Sequence, residues 1–168
     1  MLRRGRLCAA CGIRGGGVVK ILDVICGYRI TIAPIAERWY NIPHGFRFEL
    51  ITDVGRKVIS VDDGFCFDGR SGGPMVDALG VAPNLGTQDE IKAWLLHDIN
   101  YYDCTGLSFD ESNELLYSML RKCGYSWIRA KLVYNAVQLF GRGSFGEPSP
   151  DSREFCNVGK IHVRHYDK

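Results

Sequence analysis

Two copies of one short pattern, Thr87-Gln88-Asp89-Glu90 and Ser108-Phe109-Asp110-Glu111, constrain this chain more than any other feature. In each, a hydroxyl is followed three residues later by a glutamate, so the hydroxyl accepts from an amide of the first helical turn while the carboxylate accepts from the amide at the cap. Each pattern therefore predicts a helix start. The first helix should run to about Tyr102. The second carries Leu115, Leu116, Met119, Leu120 and Cys123 as a buried stripe, places Arg121 and Lys122 at its negative end, and stops at Gly124. Ser126 opens a third helix, Trp127 to Phe140, which Gly141 stops.

The first half has a β texture. Val18-Val19-Lys20-Ile21-Leu22 and Tyr28-Arg29-Ile30-Thr31-Ile32-Ala33 are rich in β-branched residues, and the second alternates polar with apolar as a half-buried strand does. Phe46 to Thr52 and Lys57 to Val61 repeat the signature around Asp53-Val54-Gly55-Arg56, which reads as a hairpin. Residues 1–17 are basic and glycine-rich, an arm that is flexible or ordered only by a neighbour. Residues 142–168, with Pro148 and Pro150, read as a loop or extended tail. The expected fold is α+β, a single domain over 18–141 in which a small antiparallel sheet (about 18–67) packs against three helices spanning 87–141.

At 168 residues and 46% hydrophobic, the chain has enough apolar surface for a core of its own. A net charge of +2, with no long Lys/Arg block, argues against nucleic acid as the specific partner. The longest apolar stretch, Val18 to Tyr28, is interrupted by Lys20 and Asp23 and falls well short of the roughly 20 residues needed to cross a bilayer. A soluble protein is expected. The opening Met-Leu-Arg-Arg lacks the apolar run of a secretory signal, and seven cysteines at irregular spacing suggest free thiols in a reducing compartment.

The densest chemical signal joins a glycine-rich stretch, Asp62 to Pro74, to the helix carrying His97-Asp98-Ile99-Asn100-Tyr101. Glycines let a backbone turn tightly, so Asp68 and Ser71 would project from a constrained loop. His97 shares a largely apolar helix face with Ala93, Trp94 and Tyr101, and Asp98 lies about 100° further round. A histidine and two carboxylates could converge there. Gly64-Phe65-x-x-Asp68-Gly69-x-Ser71, then His97-Asp98-x-x-Tyr101, then Glu111-Ser112-Asn113 and a last helix ending Val137-x-x-Phe140-Gly141, resembles an uncharacterised protein family of tailed bacteriophages over roughly residues 60–141. That family usually carries an acidic residue near 113, where this chain has Asn113, and lacks the Gly72-Gly73-Pro74 insertion. The resemblance implies a virion-associated structural or accessory protein of the tail or its assembly. It would be made in the host cytoplasm and held among other phage structural proteins in a multi-subunit assembly.

His-Asp-x-x-Tyr is also similar to the active-site helix of secreted phospholipases. That likeness implies His97 as general base and Asp98 as a calcium ligand; Asp68, a second candidate calcium ligand, Ser71 and Tyr101 are the other candidate site residues. The orienting position on the next helix falls at Asn113, an amide, so Asp68 would have to orient the imidazole. On this reading the protein is a hydrolase of host envelope lipid or peptidoglycan. The alternative is a structural network in which His97 bonds Asp68 while Asp98 and Ser71 pin the glycine loop. Cys8-x-x-Cys11, completed by Cys156, His162 and His165, is a weaker zinc candidate. The expectation is that the chain needs neither metal. Trp94, Trp127, Tyr101, Tyr102 and Tyr134 lie at helical spacings and are expected in the core. A small intracellular inhibitor of a host factor is a third functional reading, which would place function on an exposed surface.

Overall fold

The computed structural model describes residues 20–27, 29–36, 39–67, 87–101, 105–146 and 160–167. In chain order these form strands β1 (Ile21–Ile25), β2 (Ala33–Ala36), β3 (Trp39–Ile42), β4 (Phe46–Thr52), β5 (Gly55–Val61) and β6 (Phe65–Phe67). Helices α1 (Gln88–Tyr101), α2 (Phe109–Lys122) and α3 (Trp127–Phe140) follow, then a 3-10 turn (Arg142–Ser144) and β7 (Ile161–Asp167). The strands make two antiparallel sheets, β1-β4-β5-β7 and β2-β3-β6. The architecture is the expected α+β, with the strands divided between two sheets.

Period-2 alternation in β4 turns Phe46, Phe48, Leu50 and Thr52 inward. β4 joins β5 through a turn closed by Thr52, whose hydroxyl donates to the Gly55 carbonyl (2.8 Å) and accepts from its amide (3.1 Å). β7 runs so close to that turn that a Cβ on Gly55 would collide with the Tyr166 carbonyl oxygen. Both capping boxes form. Thr87 and Glu90 exchange bonds at the start of α1, and Ser108 and Glu111 do so at the start of α2. Ser126 caps α3 by accepting from the Arg129 amide.

α1 is the central element because both cores need it. Ile91, Leu95, Leu96 and Ile99 pack with the sheets, while Ala93 and Trp94 pack with Leu116, Leu120, Ala130, Val133 and Val137 of the other helices. Nearly every residue from Glu90 to Asn100 is buried.

Three expectations are corrected. The described part of 28–33 is no strand before Ala33. Ile30 is buried there, but its amide donates to the Gln88 side chain (2.8 Å) and its carbonyl accepts from it (3.1 Å), so a carboxamide on α1 takes the place of a neighbouring strand. The tail is not wholly loop, since residues 161–167 pair along the whole of β5 and form an edge of the four-stranded sheet. Trp127 is 62% exposed rather than in the core. The buried stripe of α3 is built from the small side chains Ala130, Val133, Ala136 and Val137, and Trp127 lies off it in the first turn. Trp94 is fully buried as expected. Among the described residues, no helix is long and apolar enough to cross a membrane.

Candidate functional site

His97 lies on the side of α1 that faces the other helices, the face it shares with Ala93 and Trp94, and its side chain is wholly removed from solvent. A polar ring there is tolerated only when hydrogen-bonded. Its Nε2 lies 2.8 Å from Oδ1 of Asn113 on α2, itself fully buried. An amide oxygen only accepts, so His97 donates from Nε2, which fixes its tautomer when neutral. Tyr101, one turn further along α1, packs against the imidazole with ring centroids 4.4 Å apart and planes tilted by 47°, and donates its hydroxyl to the same Asn113 oxygen at 3.4 Å. On the other side of the ring, Nδ1 is 3.8 Å from Asp98 Oδ1, within ion-pair reach but too far for a hydrogen bond.

The C-terminal end of α1 is closed by chain that the sequence reading left in the tail. The 3-10 turn after α3 brings Phe145 against Tyr101 (5.4 Å between centroids) and Phe109 (5.5 Å), and the Gly146 amide donates to the Tyr101 carbonyl at 2.6 Å. Gly141 makes this approach feasible. A Cβ there would run into the Tyr101 hydroxyl and lie 2.6 Å from the Val137 carbonyl oxygen, so the position needs space rather than an unusual backbone angle. Burial, and secondarily the charge of Asp98, holds the Tyr101 phenol well above its ordinary pKa, so it remains an O–H donor at any ordinary pH.

Of the candidate residues, His97, Asp98 and Tyr101 thus come together, joined by Asn113 at the position expected to orient the histidine. Asp68 and Ser71 lie outside the described residues, as do Cys8, Cys11, Cys156 and Tyr102. His162 pairs with Asp62 at 2.9 Å on the exposed face of β7, and His165 stands opposite Lys57 in the β5 register. Among the described residues, no group of three or more His, Cys, Asp and Glu side chains is placed to hold a metal ion, and Cys123 is a free thiol. Phe145, and the spatial reason for Gly141, had no sequence signal: aromatic contacts made through a turn have no periodicity. Chemically, the Asn113 amide orients the imidazole and ties α1 to α2, while the Asp98 carboxylate, 3.8 Å from Nδ1, is the charge beside the ring.

A family model, described as protein of unknown function (DUF1353), matches residues 45–137, rather more than half of the chain. The chain belongs to the DUF1353 family. No curated protein and no solved structure matches it. The DUF1353 match takes in β4 to β6, α1, α2 and most of α3, and with them His97, Asp98, Tyr101 and Asn113. Gly141, Phe145 and β7, which close the end of α1 and one edge of the sheet, lie beyond it.

Proposed function

We propose that this DUF1353 protein is a virion-associated structural or accessory component of a tailed bacteriophage, in the tail or its assembly, and that its His97 cluster locks the fold instead of performing chemistry. The phage setting rests on the motif resemblance from Gly64 to Gly141. The structural role rests on one observation: the His97 side chain is wholly buried and spends its Nε2 on the Asn113 amide. A hydrolytic base needs a ring nitrogen open to a cleft, whereas the His97 ring is closed off from solvent. Other subunits and host cytoplasm during assembly are the corresponding surroundings.

The test is quantitative mass spectrometry of purified particles, with lipid-ester and peptidoglycan hydrolysis assayed on the pure protein. A fixed stoichiometry in particles, with no hydrolysis above the His97→Ala background, is expected. Hydrolysis that His97→Ala abolishes while the fold survives would replace the proposal with a hydrolase. Absence from particles would remove the virion role.

A further inference from the structure

A groove of about 480 Å³ runs between β1 and α2. Its strand wall is made by all five successive residues from Lys20 to Val24, and its helix wall by one face of α2 from Glu111 to Lys122. β1 carries a bulge between Ile21 and Asp23, yet a cavity that touches five residues in a row reaches side chains of both faces and so lies along the edge of the strand. β1 is a terminal strand, paired among the described residues with β4 alone. The Val24 amide donates to the carboxylate of its own neighbour, Asp23, at 2.9 Å. Lys122 reaches across from α2 to the same carboxylate at 3.1 Å. The floor is apolar, with Ile21, Val24, Leu115 and Met119, and the groove continues past Val24 into a space of about 270 Å³ beside Cys26 and Phe48. An open strand edge beside a helix, over an apolar floor, is the geometry that accepts an added strand.

We infer that the occupant is the N-terminal segment of a second copy, residues 1–17, laid along β1 as an extra strand. Charge supports this choice. That segment carries Arg3, Arg4, Arg6 and Arg14 and no acid; the groove is lined by Asp23, Glu111 and Glu114 against Lys20 and Lys122, and with Lys122 paired to Asp23 it leaves Glu114 exposed and without an ion-pair partner among the described residues. Leu2, Leu7 and Ile13 supply apolar side chains for the floor. The segment leads through residues 18–19 to Lys20, which lines the groove, and seventeen residues can span at most roughly 55 Å, ample to reach a neighbour. Two copies exchanging arms in this way each cover the other's open edge. The inference deepens the assembly reading by naming the partner, and rests on that reading only for its setting.

The experiment is sedimentation velocity of the full chain over a wide concentration range, with amide exchange of Ile21 to Val24 followed at the same concentrations. Association and rising protection of those amides with concentration are expected. Glu114→Arg should weaken association about three- to tenfold, as should Arg3→Glu, Arg4→Glu and Arg6→Glu together, and the combined charge swap should restore much of the loss. A monomer at all concentrations, protection that ignores concentration because the arm folds back on its own chain, or a charge swap without recovery would each overturn arm exchange. A monomer still found at fixed stoichiometry in particles would leave the assembly reading intact.

Discussion

His97 and Asn113 meet at 2.8 Å across the interface of α1 and α2, two helices whose starts are fixed independently by their own capping boxes. Neither side chain is positioned by local sequence alone, so the bond reports on the docking of one helix against the other. Each of His97→Ala and Asn113→Ala should lower stability by about 1–3 kcal/mol by leaving the other partner buried and unpaired. The double variant should lose about 1 kcal/mol less than the sum. Urea unfolding of the four proteins measures this, and strictly additive losses would mean that the bond contributes nothing.

Gly141 should be intolerant of a methyl group. Gly141→Ala drives a Cβ into the Tyr101 hydroxyl and the Val137 carbonyl, with an expected cost of about 1–3 kcal/mol in a thermal melt. In a Tyr101→Phe background part of that cost should disappear, because one of the two obstacles is gone while the carbonyl remains. An equal cost in both backgrounds would show that the hydroxyl is not the obstacle.

Asn100 is fully buried on α1, and neither its amide nitrogen nor its carbonyl oxygen has a hydrogen-bond partner among the described residues. Burying an unpaired polar group is costly, and replacing it with an apolar residue of similar size recovers that cost. Asn100→Leu should therefore raise stability by about 1 kcal/mol, read as a higher urea midpoint at unchanged slope. A lower midpoint would mean that the amide is satisfied in solution.

The pH response of the sheet edge should come in part from His165. Burial, and then the charge of Lys57 opposite, hold its pKa below the ordinary histidine value. The unfolded chain then takes up the proton more readily than the folded one, so this contribution is complete above the ordinary histidine pKa and declines as pH falls through it toward the folded value. His165→Asn should flatten that part of the stability profile, and Lys57→Met should move the His165 titration upward in NMR. An upward shift of wild-type His165 would reverse the sign and defeat the prediction.

The helical half was legible because its information is local. A hydroxyl and a glutamate three residues apart bond each other wherever the rest of the chain goes, and Ser108 and Glu111 do so as read. Asn113, the position on the next helix that the phospholipase likeness set opposite His97, does meet it, while Asp68 and Ser71, the loop half of the candidate site, lie outside the described residues. The strands were harder because a strand is defined by its partner. Ile30 has the pattern of a strand residue but finds Gln88, 58 positions away, as its backbone's partner. Ile161-His162-Val163-Arg164 alternates as a strand should, yet sits among residues that offer no turn signal toward β5. Trp127 misleads because size and spacing suggest burial, whereas α3 packs closely only through small side chains.

The pairing of β7 with β5 also sets an order of events during synthesis. Gly55 is joined to Asp167 and Val61 to Ile161, so about a hundred residues must leave the ribosome after β5 before its second edge is covered. At about 5–20 residues per second, a nascent chain presents that bare edge for roughly 5 to 20 seconds. Until β7 arrives, the newborn protein offers a strand edge for pairing that the finished fold covers.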